Sequence, residues 1–166
     1  TAIDRVSDDQ EVDPWGPWYL ANPEVLAGGE PSHSLAGTAA DMAMLFQALF
    51  HTNVWTDGIV ERATQIYGAD AAWGDKLYGG SDEVTCMALF CVVRGPYGNS
   101  FAPRTGSERT FGNGGAPFQL AFADPDAGTS FAFLTNGYPM AGYDYTAYGD
   151  NLRISIAALG NDLVGR

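Results

Sequence analysis

Lysine and histidine are scarce in this chain of 166 residues: Lys76 is the only lysine, and His33 and His51 are the only histidines. Lys and Arg together number 8 against 20 Asp and Glu, so the formal net charge is -12. Binding to nucleic acid requires clustered cations, and we therefore expect no nucleic-acid partner. Neither histidine stands in a metal-ligand motif such as H-E-x-x-H, so we expect no metal and no cofactor.

Long apolar runs are missing as well. No uninterrupted apolar run approaches the roughly 20 residues that cross a bilayer, and no charged-then-apolar leader opens the chain, so we expect no membrane segment. The chain begins at Thr1 rather than at a methionine and opens on a polar, Asp-rich stretch. This beginning predicts that further polypeptide precedes it.

The composition that is present predicts a folded chain, because hydrophobic residues make up 46% and charged residues only 17%. Cys86 and Cys91 lie five apart in an apolar run, which puts their side chains on opposite faces if the run is one strand. They cannot easily bridge each other in that arrangement. We expect two small, buried, hydrophobic residues.

The first two segments are predicted to be irregular and then helical. Residues 1–34 contain four prolines and paired glycines, which predicts an irregular loop that covers a cleft. Residues 35–68 are predicted to form helices, the first of which begins with a capping box of Thr38 and Asp41. An apolar stripe at helical spacing follows in this helix and predicts its core face: Met42, Leu45, Phe46, Leu49 and Phe50.

A second, shorter helix is predicted over 57–67, with Thr56 or Asp57 as its cap. The pattern then changes, and residues 77–136 are predicted to form antiparallel strands. The predicted strands cover 85–94, 109–113, 119–123 and 129–135, the last two joined as a hairpin by a turn that begins at Asp124.

A last helix is predicted over 146–164. Its apolar face is expected to lie across the sheet and to consist of Leu152, Ile156, Leu159 and Leu163. Helices, then consecutive strands, then a returning helix predict an α+β fold, an antiparallel sheet with flanking helices.

Two stretches of the chain carry a resemblance. Residues 28–46 read GGEPSHSLAGTAADMAMLF, and residues 111–137 read FGNGGAPFQLAFADPDAGTSFAFLTNG. The first is similar to a glycine-rich loop and T-A-x-D-M helix of serine-β-lactamase-like esterases. The second is similar to that family's F-G-H-G-G strand and the A-F-A-D-P hairpin after it. The chain resembles the serine β-lactamase and penicillin-binding-protein superfamily, esterase type and class C-like, and 1–166 would be the C-terminal part of one such transpeptidase-like domain.

Three motifs meet in the active site of that family: S-x-x-K with the nucleophile, Y-x-N or a relative for proton transfer, and K-T-G or H-x-G on a sheet strand. Only the third has a counterpart here, and Asn113 stands where the family has Lys or His. Tyr97 and Asn99 spell Y-x-N but lie in a predicted turn after the helices, so we interpret them as a chance match.

The resemblance implies that Asn113, Gly115 and Ala116 are catalytic and that Gly114 contacts the substrate. The backbone N–H of Ala116 would help to stabilise the oxyanion, and the glycines would let the substrate approach the strand. The alternative for this quartet is a glycine turn or bulge without chemistry. His33, in the glycine-rich loop, is a candidate for substrate binding at the rim of the cleft, and its alternative role is that of a polar loop residue.

The resemblance implies a portion of a serine hydrolase that acts through an acyl-enzyme on a small-molecule ester or amide, as a carboxylesterase or a β-lactamase-like enzyme. Its partner would be the N-terminal portion of the same protein, which would carry S-x-x-K; the segment alone would not be an enzyme. Because Asn113 cannot carry positive charge, a substrate without a carboxylate is favoured. The alternative is a non-catalytic member of the same fold that binds a ligand or a partner.

Overall fold

A computed structural model of the chain describes residues 23–29, 36–51, 53–72, 84–96, 102–103, 105–115, 119–134 and 147–164. Within these residues there are four helices and six strands. The helices are α1 (Pro23–Ala27), α2 (Ala39–His51), α3 (Ile59–Ala63) and α4 (Ala147–Val164). The strands are β1 (Gly68–Ala72), β2 (Val84–Met87), β3 (Val92–Val93), β4 (Phe111–Gly115), β5 (Gln119–Asp124) and β6 (Thr129–Phe133).

The strands form one antiparallel sheet whose order follows the chain from β1 to β6. Each strand pairs with the next one in sequence, so the sheet is built from local connections. Helix α2 packs on one face and α4 on the other. The predicted α+β class with an antiparallel sheet and flanking helices is confirmed. None of the helices in the described ranges is long and apolar enough to span a bilayer.

Helix α2 begins with the predicted capping box. The Asp41 N–H donates to Thr38 Oγ1 at 3.1 Å, and the Thr38 N–H and hydroxyl each donate to Asp41 Oδ2 at 2.8 Å. The hydrogen bond from the Thr38 backbone, and next the one from its hydroxyl, lower the pKa of Asp41. The start of this helix is therefore specified by residues that are neighbours in sequence.

The main core lies between α2 and the sheet. The rings of Phe46 and Phe111 stack there with centroids 5.9 Å apart. The buried residues of this core are Phe46, Cys86, Cys91, Val93, Phe111, Ala121 and Ala123. Met42, Leu49 and Phe50 pack against them, which confirms most of the predicted stripe of α2. Leu45 differs, because its side chain is exposed.

A second, smaller core lies under α4, where Ala157 packs with Leu120 and Phe122. The predicted apolar face of this helix is wrong in part. Leu159 and Leu163 are 58% and 64% exposed, whereas Ala157 and Gly160 are buried. Small residues let the helix backbone approach the sheet closely, so the turns with Ala and Gly face the strands and these leucines face outward.

The predicted single strand over 85–94 is also wrong, because the segment folds back on itself as β2 and β3. The Ala88 N–H donates to the Cys91 carbonyl at 2.9 Å and closes the turn between them. Cys86 and Cys91 consequently contribute to the same core, not to opposite faces. Both side chains are buried, as expected.

The second predicted helix is shorter than 57–67 and spans only α3. Its N-cap is Gly58 at φ 71, without a side-chain hydrogen bond, so neither Thr56 nor Asp57 caps it. The strands begin at β1, before the predicted start at residue 77. Residues 1–34 were expected to be irregular, yet α1 lies among them; the rest of that segment, except for two turn residues, is outside the described residues.

Candidate functional site

Strand β4 presents Asn113 to the face of the sheet that α2 covers. Side chains alternate between the two faces of a strand, so Asn113 shares a face with Phe111, which stacks on Phe46 of α2. The cross-strand partner of Asn113 is Ala121, a member of the core beneath α2. The Asn113 side chain itself is exposed, so it reaches solvent from the margin of this core.

The second half of β4 extends beyond the end of β3. Strand β3 pairs with Phe111 and Gly112 only, whereas β5 pairs with every residue of β4. The Arg94 N–H donates to the Thr110 carbonyl at 2.7 Å. Because backbone groups alternate in direction along a strand, those of Gly112 and Gly114 face the β3 side as well.

The backbone N–H of Gly114 forms a hydrogen bond with the side chain of the preceding residue. This N–H donates to Oδ1 of Asn113 at 2.9 Å. This bond orients the Asn113 amide and leaves Nδ2 with no hydrogen bond among the residues that the structure describes. A primary amide nitrogen carries two N–H donors, so Asn113 can donate to a carbonyl oxygen that enters beside β4. It cannot act as a base or carry a charge at neutral pH.

A cavity of about 430 Å³ opens beside Asn113. Its lining comes from α2, the loop after α2, the turn between β2 and β3, and β4: Leu45, Phe46, Leu49, Trp55, Phe90, Cys91 and Asn113. Six of the seven side chains are apolar or weakly polar, and Asn113 is the amide among them. Burial raises the pKa of the Cys91 thiol to about 12, so this residue is uncharged at neutral pH. The lining contributed by the described residues therefore carries no charge.

The walls of this cavity are held by contacts of their own. The indole N–H of Trp55 donates to the Ala48 carbonyl at 2.9 Å and holds the loop against the last turns of α2. The Ser130 hydroxyl donates to the Ala43 carbonyl at 2.9 Å and ties the helix to β6. On the other side, the Phe90 ring meets Phe111 edge to face, with centroids 6.2 Å apart. Helix, loop and turn are thus each fixed relative to the sheet.

A smaller cavity of about 190 Å³ shares Leu49 and Trp55 with the first. Its lining is more polar and includes Asp57, Glu61 and Arg109. The guanidinium of Arg109 pairs with Asp126 at 2.7 Å. Within the described chain this cavity borders none of the predicted site residues.

Asp124 holds the start of β4 in place from the end of β5. It is only 3% exposed, and its carboxylate accepts the Ser107 N–H at 2.8 Å and the Ser107 hydroxyl at 2.7 Å. Two N–H groups of the following turn, those of Asp126 and Ala127, donate to it at 3.1 and 3.3 Å. Asp124 is therefore a buried carboxylate that joins this turn to the segment before β4.

The environment of Asp124 affects its pKa in two opposing ways. Burial raises the pKa, while the hydrogen bonds from the Ser107 backbone, the Ser107 hydroxyl and the Ala127 backbone lower it, and the net pKa is below the ordinary value of 3.8. The carboxylate is therefore ionised at neutral pH and acts as a structural acceptor.

The structure brings three of the predicted site residues together, since Asn113, Gly114 and Gly115 are consecutive on β4. Ala116 and His33 lie outside the described residues, and their roles stay predictions. The bulge or turn considered for the quartet is not seen over Asn113–Gly115, where the pairing with β5 is regular.

Sequence reasoning missed the walls of the cavity. Leu45 and Leu49 were interpreted as core residues, and the four-residue spacing of apolar side chains on a helix is the same for a core face and for a cavity wall. Phe90 and Cys91 were assigned to the interior of a strand. No signal in the sequence indicated the turn that brings them beside Asn113.

No protein-family model, curated protein or solved structure matches the chain. Among the described residues, no three His, Cys, Asp or Glu side chains are grouped as metal ligands would be.

Proposed function

We propose that this chain is the C-terminal portion of a serine hydrolase resembling the β-lactamase and penicillin-binding-protein superfamily, with an esterase-type acyl-enzyme mechanism. The observation that carries the proposal is the position of Asn113: a glycine-flanked amide on the helix-covered face of the sheet, at a cavity and in the half of β4 that extends past β3. The nucleophilic serine and its lysine belong to polypeptide outside this chain in this proposal.

The proposed reaction has two steps. The serine oxygen attacks the ester carbonyl, its proton passes by way of the lysine to the leaving alcohol, and an acyl-enzyme forms. Water then attacks the acyl carbonyl, the bond to the serine oxygen breaks, and a proton of the water passes to that oxygen, which releases the acid and the free serine. In both steps the carbonyl oxygen becomes negative, and two backbone N–H groups, from the nucleophile and from Ala116, stabilise it.

Asn113 is proposed to position the substrate. Its Nδ2 would donate a hydrogen bond to a substrate oxygen beside β4, while Oδ1 stays bonded to the Gly114 N–H at 2.9 Å. The cavity next to it would take the apolar part of the substrate. A neutral ester fits this site better than a carboxylate-bearing β-lactam or D,D-peptide, because the described lining offers no cation and the net charge is -12.

Fluorophosphonate labelling of the complete protein tests the proposal. The probe forms a covalent bond to an activated serine, and mass spectrometry of the digested protein locates it. We expect one labelled serine in an S-x-x-K motif outside residues 1–166, and loss of labelling when that serine is changed to Ala. The same probe on heat-denatured protein is the control, since chance reaction survives denaturation and activation by a folded site does not.

The isolated chain gives a second expectation, because it lacks the nucleophile. Expressed alone, it is expected to hydrolyse no p-nitrophenyl ester and to fold poorly. Turnover of such an ester by the purified segment would place the nucleophile inside residues 1–166 and would contradict the proposal.

A non-catalytic ligand-binding protein of the same fold is the second candidate. It is favoured by one observation: Oδ1 of Asn113 is bonded to its own neighbour and the residue has no charge. The labelling experiment separates the two candidates. Absence of labelling in a folded protein that binds an apolar ligand would support this second function.

A further inference from the structure

The cavity beside Asn113 has the apolar lining of a site that binds hydrocarbon. Its lining and its position next to an amide indicate which kind of ligand it accepts. We propose that it binds the hydrocarbon chain of an uncharged ligand, with the ligand's carbonyl group at Asn113. The use of this site for the acyl chain of an ester rests on the proposed hydrolase function, whereas the binding itself does not.

The first argument is the match of volume and lining. Cavities that bind small molecules typically measure about 300–1,000 Å³ and have apolar walls with few polar groups. This one measures about 430 Å³, with Leu45, Leu49 and Phe90 among its walls and Asn113 as the amide. An apolar chain with a single carbonyl at one end fulfils both requirements.

The second argument comes from exposure at the cavity mouth. Leu45, Trp55 and Phe90 are all large, apolar and partly exposed, although they come from three separate segments of the chain. Contacts with the rest of the protein fix two of them in place, since the Trp55 indole N–H donates to the Ala48 carbonyl and Phe90 packs against Phe111. A hydrocarbon chain that covers them removes apolar surface from water, which is the main source of affinity for such a ligand.

Charge selects between a neutral ligand and a fatty acid. A carboxylate placed at Asn113 would find an amide but no cation among the lining residues described. It would also experience the field of a chain with a net charge of -12. An amide or ester head group avoids both costs and still accepts a hydrogen bond from Nδ2.

Calorimetric titration of the complete protein with hexanamide, heptanamide, octanamide and octanoate tests the proposal. These amides do not react with an activated serine on the timescale of a titration, so the result is independent of catalysis. We expect the affinity to rise about fourfold with each added methylene. Octanamide is expected to bind at least about tenfold more tightly than octanoate at low salt, and added salt should narrow the difference.

A pair of neighbouring variants localises the ligand. Leu45→Asp puts a charge into the cavity wall at a position that is already exposed, and we expect it to weaken octanamide binding by about tenfold or more. Met44→Asp, one residue earlier and also exposed, lies outside the lining and is expected to leave binding unchanged. Circular dichroism of both variants reports whether the fold is retained, and Leu45→Gln replaces Leu45→Asp if that variant does not fold.

Four results would overturn the proposal: no binding of octanamide, no dependence of affinity on chain length, octanoate binding as tight as octanamide, or equal effects of the two variants. These failures differ from failure of the proposed function. If octanamide binds as described while fluorophosphonate labels no serine, the hydrolase proposal is wrong and the binding site stands. If a serine is labelled and octanamide does not bind, the binding proposal is wrong and the hydrolase proposal stands.

Discussion

Asn113 limits the chemistry that is available to the proposed site. A lysine or histidine in its place would attract anions and could exchange protons, whereas an amide can only donate and accept hydrogen bonds. The residue lies beside an apolar cavity, in the half of β4 that extends past β3. Its proposed role is therefore orientation of a neutral carbonyl group.

Substitution of Asn113 tests this role. In Asn113→Ala the donor at Nδ2 is lost, and we expect the second-order rate of fluorophosphonate labelling to fall about tenfold, which corresponds to one hydrogen bond of ordinary strength in the transition state. Asn113→His restores a donor of the type found in the proposed family, and it should label faster than Asn113→Ala.

The matched control for this comparison is Asn161→Ala, which removes an asparagine from α4, on the opposite face of the sheet. Its labelling rate should equal that of the unaltered protein. A labelling rate for Asn113→Ala that equals this control would show that the amide does not contribute to catalysis.

Asp124 supports the site from a distance of eleven residues along the chain. Its carboxylate joins Ser107, which precedes β4, to the turn between β5 and β6. Removing a buried acceptor leaves several donors unsatisfied, which is costly even though each bond is modest. The path of the chain into β4 depends on this residue.

For Asp124→Asn we expect a decrease of about 1–3 kcal/mol in the free energy of unfolding of the complete protein at pH 7, measured with urea. The pKa of Asp124 is lower in the folded than in the unfolded chain, so its stabilising effect is complete above the ordinary pKa of 3.8 and is lost as the pH falls through the folded pKa. The difference in the free energy of unfolding between the unaltered protein and Asp124→Asn should consequently become smaller below about pH 4.

Asp126→Asn is the control for Asp124→Asn, because Asp126 lies in the same turn and pairs with Arg109 on the surface. Exposed ion pairs contribute about 0–1 kcal/mol to stability, so the free energy of unfolding of this variant should be close to that of the unaltered protein. Equal stability of the two variants at pH 7 would contradict the account of Asp124.

At the scale of elements, local signals were predicted well. The capping box of α2 and the hairpin of β5 and β6 are confirmed. In each case the residues that determine the structure are within a few positions of one another, either Thr38 with Asp41 or the turn that follows Asp124. Such signals can be identified without knowledge of the rest of the fold.

Elements whose orientation depends on distant contacts were predicted poorly. The leucines of α4 indicated one face, but Gly160 packs on Phe131 of β6 and turns the helix so that Leu159 and Leu163 are exposed. The run over 85–94 has continuous apolar character because both strands of its hairpin contribute to one core. Apolar periodicity indicates which side chains share one face of a helix or strand, and it does not indicate which element that face packs against.

Gly160→Ala tests the close approach of α4 to the sheet. In a solvent-facing helix this change would stabilise by about 1 kcal/mol. Here a Cβ would lie 2.8 Å from the ring of Phe131, so we expect destabilisation by about 1–3 kcal/mol, measured by urea unfolding of the complete protein. Asp162→Ala, exposed in the same helix, is the control and should be neutral or stabilising; stabilisation by Gly160→Ala would contradict the packing.

At the scale of the whole molecule, the candidate site lies where a short strand ends. Because β3 is two residues long, the glycines of β4 extend past it, and α2 with the turn before β3 borders a cavity there. The glycine pattern of β4 indicated a candidate site from the sequence, and its role stays a prediction. The cavity could not, because its walls come from four segments that only the folded chain brings together.

The structure of the complete protein inhibited by a fluorophosphonate tests the central claim most directly. The proposal predicts a phosphonate bound to a serine outside this chain, with its phosphoryl oxygen about 3 Å from the Ala116 nitrogen and its substituent directed toward Leu45 and Leu49. A phosphonate attached elsewhere, or an edge of β4 beyond β3 that is filled by the protein's own side chains, would contradict it.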